Sequence, residues 1–144
     1  MVLAETDRSW SVSRSAELYG LERWGEPYFS INSRGHIVVQ PRGDRGGSLD
    51  LVELVKGLTA RDLHPPLLIR FDDILEDRLE RLHAAFERAI SLYDYDGRYQ
   101  GVFPIKCNQQ RHVVEELVSC GKRWNFGLEA GSKAELLIAL SLLD

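Results

Sequence analysis

Tyr99-Gln100-Gly101-Val102-Phe103-Pro104-Ile105 and Trp124-Asn125-Phe126-Gly127-Leu128 are two apolar, aromatic-rich runs, each followed by a helical pattern, and together they decide the fold class. Between them Val113, Val114, Leu117 and Val118 recur at helical spacing, with Gly121 as a stop. After the second run Ser132 opens a further helix that continues to the end of the sequence. The same alternation begins upstream. Leu67-Leu68-Ile69-Arg70-Phe71 reads as a short buried strand, and a long helix follows with Leu75, Leu79, Leu82, Phe86, Ile90 and Tyr93 on one stripe. Asp72 and Asp73 are its N-cap candidates, Glu76 completes a capping box with Asp73, and Gly97 is its stop. Strand, helix, strand, helix with short connections predicts an α/β fold, a parallel sheet covered by helices. Right-handed crossovers bring the C-terminal strand ends to one edge, which is where such sheets bind ligands. That edge holds Asp72, Lys106 to Asn108 and Glu129 to Ser132.

Working outward toward the N-terminus, Tyr28-Phe29-Ser30-Ile31 and His36-Ile37-Val38-Val39 flank Asn32-Ser33-Arg34-Gly35 and predict a β-hairpin. The stretch from Trp10 to Trp24 mixes Ser, Arg and aromatics without a firm period and reads as irregular or weakly helical. Pro41-Arg42-Gly43-Asp44-Arg45-Gly46-Gly47 breaks regular structure and reads as the linker between a hairpin segment, 1–47, and an α/β part, 48–144. Ser48 is the expected N-cap of a helix carrying Leu51, Val52, Leu54, Val55 and Leu58, and Pro65-Pro66 ends that unit.

The length of 144 residues suits one domain and is too short for a complete eight-fold α/β barrel, which needs about 250. Hydrophobic residues at 44% and charged residues at 28% are ordinary globular values, and no apolar run approaches the ~20 residues that span a bilayer. The first ten residues carry Glu5 and Asp7 without an apolar core, unlike a secretory signal, so a cytoplasmic setting is expected. With a formal charge of -4 and interleaved signs, the chain offers no basic stripe for nucleic acid. Cys107 and Cys120 are too few and too far apart for a disulfide framework or a zinc site, and His36, His64, His83 and His112 show no metal spacing.

Among the residues of the sheet edge, Lys106 stands out. It is one of four lysines in the chain, against fourteen arginines, and an apolar strand delivers it alone to the ligand-binding edge. Partial burial there would disfavour its charged form, which suits an amine that attacks a carbonyl, including that of pyridoxal phosphate. The plain alternative is a lysine marking where a strand meets water. Pro104 removes a ladder donor two residues earlier and points to special geometry. Glu129 closes the next strand and would lie about one strand spacing (~4.8 Å) away if the two strands are neighbours. It is placed either to orient Lys106 or as an ordinary surface carboxylate. Ser132 and Glu135 have capping-box spacing, which favours a Glu135 side chain folded back on the Ser132 amide over one turned to a ligand. Gly131 and Ser132 at a helix start offer a weak anion site, Cys107 reads as a small hydrophobe, and His112 as a surface residue. The glycines at 43, 46 and 47 fit neither phosphate-loop pattern.

Val102-Phe103-Pro104-Ile105-Lys106-Cys107-Asn108-Gln109 followed by Gly127-Leu128-Glu129-Ala130-Gly131-Ser132-Lys133-Ala134-Glu135-Leu136 closely resembles the biosynthetic arginine decarboxylases, pyridoxal-phosphate enzymes of the alanine racemase-like barrel class. Trp24-Gly25, Tyr28-Phe29, Ile31-Asn32, Gly35-His36-Ile37, Leu51-Val52, Phe71-Asp72-Asp73-Ile74-Leu75 and Arg78-Leu79 extend the resemblance over nearly all the chain from Trp10 onward. The resemblance implies a hairpin segment followed by the first βα units of an incomplete (β/α)8 barrel. It implies that Lys106 bonds the cofactor, that Glu129 lies against the cofactor side of the pocket, that Ser132 and Glu135 support it, and that Asn108 is a neighbour. Cys107 is given no role. L-arginine would be the substrate and agmatine and carbon dioxide the products, in polyamine biosynthesis, with magnesium and a dimer-based homo-oligomer implied by the family. No nucleic acid and no membrane partner is expected.

Parts that this chemistry needs are missing from the 144 residues. They include a cofactor-phosphate loop, an acid for the pyridine nitrogen and an acidic pocket for a guanidinium. The expectation is therefore an N-terminal portion of a longer enzyme, inactive and poorly soluble alone. The alternatives are a non-catalytic truncated partner of an intact paralogue, or a related decarboxylase of ornithine, lysine or diaminopimelate.

Overall fold

The computed structural model describes residues 9–142, which form two compact units, the first ending at Ile69 and the second beginning at Arg70.

The first unit is built on a small antiparallel sheet. Strand β1 (Phe29–Ile31) pairs with β2 (Ile37–Val39) in the register Phe29 to Val39 and Ile31 to Ile37, which is the expected hairpin. Its turn is held by the Asn32 carboxamide, whose Oδ1 accepts from the backbone N–H groups of Arg34 and His36, both at 3.0 Å. Gly35 completes it at a φ of +76°, in the left-handed region that costs glycine nothing. Ahead of the sheet the segment expected to be irregular or weakly helical forms two short helices, α1 (Val12–Leu18) and α2 (Leu21–Trp24), with Ser11 capping the first.

The stretch from Pro41 to Gly47, expected as a linker, is a connection inside this sheet. Beyond it β3 (Leu49–Asp50) returns to pair antiparallel with β2, and α3 (Leu51–Thr59) follows without a break. The Gly-rich composition that suggested a linker serves a return between neighbouring strands. The cap of α3 also differs from expectation. Asp50, not Ser48, caps it, its carboxylate accepting from the N–H groups of Val52 and Glu53 at 2.9 and 3.2 Å. A carboxylate is the stronger acceptor there and complements the helix N-terminus.

In the second unit, α4 (Asp72–Leu92) and α5 (Arg111–Gly121) pack with the parallel pair β4 (Val102–Pro104) and β5 (Gly127–Glu129). Leu79, Val113 and Leu117 are buried, with Leu75, Phe103, Cys120, Trp124 and Phe126 against them. Each such aliphatic side chain contributes about 1.5–3 kcal/mol by leaving water. The strands run in the register Val102 to Gly127, Phe103 to Leu128 and Pro104 to Glu129, so the expected parallel alignment places both C-terminal ends together. The last helix, α6 (Lys133–Leu140), is capped by Ser132, whose Oγ accepts from the Glu135 N–H at 3.2 Å.

Three sequence expectations fail in this region. Leu67 to Phe71 is not a strand: Leu68 is 76% exposed, and no ladder reaches the segment, because β4 pairs only with β5. The break between the two compact units falls inside this run, after Ile69. Neither Asp72 nor Asp73 caps α4; Phe71 holds the N-cap position with no side-chain hydrogen bond. The helix also stops well short of Gly97, at Leu92, where Asp94 takes the left-handed conformation at a φ of 48°. Asp tolerates that conformation better than most residues, so glycine is not needed for the stop. Among the described residues no helix is long and apolar enough to cross a membrane.

Candidate active site

Lys106 lies in the single 3-10 turn Ile105–Cys107 that leaves the end of β4. Ile105, just before it, is wholly buried and anchors the turn, while the Lys106 side chain is 65% exposed, so the partial burial expected of it is not found. Glu129 is the last residue of β5, and its Oε1 stands 4.0 Å from Lys106 Nζ. Register explains the meeting: Pro104 pairs with Glu129, and the chain advances two residues past Pro104 before the lysine projects. At these exposures the ion pair is worth at most about 1 kcal/mol, so its consequence is orientation more than stability.

The other expected site residues divide into pairs. Ser132 and Glu135 meet at the start of α6, as their spacing predicts, but the Glu135 carboxylate accepts from the Gly131 N–H at 2.7 Å, not from the Ser132 amide. Glu135 is thereby occupied at the helix start, between Ser132 and the strand that ends in Glu129. Asn108 serves the opposite connection. Its Oδ1 accepts from the Gln110 N–H at 2.9 Å, and its own N–H donates to the Ile105 carbonyl at 3.1 Å, tying the lysine turn to the start of α5. Arg70 reaches across to the Gln110 carboxamide at the same place. Cys107 and His112 are exposed, and Asp72 opens α4.

Lys106 offers a primary amine open to solvent, the group that condenses with a carbonyl, and Glu129 offers a carboxylate beside it.

Two clusters escaped the sequence reading. In the first unit His36, Asp50 and Glu53 offer three ligand atoms within 4.8 Å of one another. Arg34 already occupies this cluster, at 2.8 Å from Asp50 and 3.3 Å from Glu53, and His36 Nδ1 lies 2.9 Å from Asp50. Partial burial would raise the Asp50 pKa, yet the bonds from His36, the Glu53 amide and Asn32 outweigh it and hold the carboxyl well below its usual range. Charge balance makes this a structural hub. The second cluster surrounds His83 on α4. The helical interval from Leu79 to His83 was the available signal, placing a histidine on the core stripe.

No family model matches the chain. Among curated proteins, biosynthetic arginine decarboxylase of Parasynechococcus marenigrum is 79% identical over all 144 residues, which is 22% of that protein's length. The chain is similar to biosynthetic arginine decarboxylases along its whole length. The enzyme so named in Thermosynechococcus vestitus is 61% identical over the full chain and 23% of its own length. A crystal structure of the biosynthetic arginine decarboxylase SpeA from Campylobacter jejuni superposes with a TM-score of 0.78 at 34% identity, over 88% of this chain and 20% of that one. The chain thus spans about a fifth of the length of the decarboxylases it matches.

Proposed function

We propose that this chain is the lysine-bearing portion of a pyridoxal-phosphate-dependent arginine decarboxylase, with the cofactor-bearing part inside residues 48–144. The observation that carries the reading is the placement of Lys106 and Glu129, 4.0 Å apart, at the C-terminal ends of adjacent parallel strands. Its support is the similarity of the whole chain to about a fifth of the length of enzymes of that name. The same reading makes β4 and β5, each followed by a helix, consecutive units of an incomplete (β/α)8 barrel.

Lys106 would hold the cofactor through its amine, and Glu129 would fix the direction of that amine and take up hydrogen bonds on the cofactor side. Ser132 and Glu135 keep the start of α6 closed behind Glu129, and Asn108 holds the lysine turn against α5. When bound, pyridoxal phosphate supplies the electron sink that lets the carboxylate of an amino acid leave as carbon dioxide. Lys106 is then the group placed to recover the cofactor through Nζ as agmatine departs. Arginine as substrate, a role in polyamine synthesis, a dimer-based assembly, magnesium and a cytoplasmic setting belong to this proposal through the resemblance, and no residue of the chain is assigned to the metal.

The test is borohydride reduction of the full-length protein with pyridoxal phosphate, followed by peptide mapping. The cofactor mass is expected on the peptide containing Lys106, and Lys106→Arg is expected to abolish that label together with carbon dioxide release from arginine. Label on any other lysine overturns the assignment.

A further inference from the structure

His83 is 3% exposed, and its Nε2 has no hydrogen-bond partner. Its neighbours are aromatic. The ring stacks on Trp124 with centroids 4.9 Å apart and planes 8° from parallel, and it meets Tyr99 and Phe126 edge-on at 5.0 and 6.0 Å. Two of these walls belong to the strands: Tyr99 precedes β4 by three residues and Phe126 immediately precedes β5. Both walls are themselves packed on one side. Tyr99 is stacked on Phe86 at 3.8 Å, and a Cβ added at Gly101 or Gly121 would come within 2.6 or 2.7 Å of Phe126. An aromatic ring at this position is therefore packed between residues that lead directly into the two strands ending at Lys106 and Glu129.

The groups facing His83 do little to welcome a proton. On its own helix Glu87 favours the charged form, but burial dominates and moves the pKa below the ordinary 6.5. From the turn after α5, Arg123 places its guanidinium 3.9 Å above the Trp124 ring, itself paired with Glu76 at 3.4 Å. The α5 thiol of Cys120, whose pKa burial pushes up, packs against Leu79, Val113 and Leu117, and from the approach to β4 comes the Tyr99 phenol. An imidazolium here would lose its hydration, gain no bonded carboxylate and share an indole with a second cation.

We propose that His83 is a proton-sensitive latch on the β4–β5 pair: neutral, it completes the aromatic box that holds the approaches to both strands; protonated, it opens the box and loosens the starts of the strands that lead to Lys106 and Glu129. The latch concerns the strands and does not depend on the chemistry proposed for Lys106. Its sign follows from linkage. The folded form resists the proton, so the unfolded chain binds it first as pH falls. The contribution to stability is complete above about 6.5 and is lost below it, by up to tenfold in the folding equilibrium per pH unit.

The experiment is a titration of the full chain from pH 8 to 5 with ring-labelled histidine, following the imidazole signals and the backbone amides of β4 and β5 by NMR. The His83 signal is expected to keep its neutral position below pH 6. When it moves, the amides of Val102, Phe103, Gly127 and Leu128 are expected to move in the same step. His83→Phe, which preserves an aromatic ring, is expected to hold those amides in place to lower pH. A His83 midpoint near 6.5, protonation that leaves the amides unmoved, or an unchanged acid midpoint in the variant overturns the proposal. Should the variant fail to fold, the first two outcomes decide from the unaltered chain.

Discussion

Asp50 caps α3 and closes the hairpin in one step. Its carboxylate receives the Val52 and Glu53 amides, the Asn32 carboxamide at 2.9 Å, the Arg34 guanidinium at 2.8 Å and the His36 ring. Partial burial opposes its charge and the donors prevail, so its pKa lies well below the ordinary 3.8. A depressed carboxyl adds stability that is complete above about pH 4 and is lost as pH falls below that. Asp50→Asn is expected to remove this acid dependence and speed amide exchange at Val38 and Val39, which hydrogen-exchange NMR would show. Unchanged exchange would contradict the assignment. Ser132→Ala makes a smaller and more local change. It deletes one cap bond and is expected to cost about 1 kcal/mol in urea unfolding, with α6 fraying first. These two residues also differ in how visible they are in a sequence. Ser132 bonds three residues away and its role was readable from spacing; Asp50 takes its partners from Asn32, Arg34 and His36, which only the fold brings near.

Elements carry the same lesson at longer range. The stripe from Leu75 to Tyr93 announces α4 because helical periodicity is local, and the parallel order of β4 and β5 follows from their alternation with α5. The ends of α4 were not legible, since its start depends on Phe71 and its stop on Asp94 tolerating a left-handed turn. The supposed strand from Leu67 to Phe71 failed for a related reason: a strand forms by pairing with a distant segment, and local composition does not report that pairing. The join between α5 and β5 gives this a test. Gly121 is buried, and a Cβ there would lie 2.7 Å from Phe126 Cβ, an atom too close to the backbone to swing aside. Gly121→Ala is therefore expected to destabilise the second unit by about 1–3 kcal/mol in urea unfolding, despite alanine's better helix propensity. A stabilised variant would mean that Phe126 moves more freely than its packing suggests.

For the whole molecule, the shared edge that holds Lys106 and Glu129 was legible and the exposed surfaces around it were not. Lys106 and Glu129 were placed on one edge by strand order alone, and the register confirms that geometry, but what surrounds them depends on surfaces that the described residues leave open. The clearest is α6. Leu136, Leu137 and Leu140 are 50%, 60% and 59% exposed on a helix whose sequence, KAELLIAL, has no polar face beyond its first turn. Beside it, the two strands of a parallel pair keep unpaired outer edges among the described residues, although parallel sheets are ordinarily covered on both faces. Exposed apolar surface of this kind associates in water in proportion to its area. The 144-residue chain is accordingly expected to scatter light increasingly with concentration and to bind a hydrophobic dye. Leu137→Lys with Leu140→Glu, four and one residues before Ser141, is expected to suppress both without altering the Ser132 cap or the Lys106–Glu129 approach. Light scattering across a concentration series checks this. A monomer at every concentration before substitution would overturn the prediction, and unchanged association after it would locate the association elsewhere, at the open strand edges.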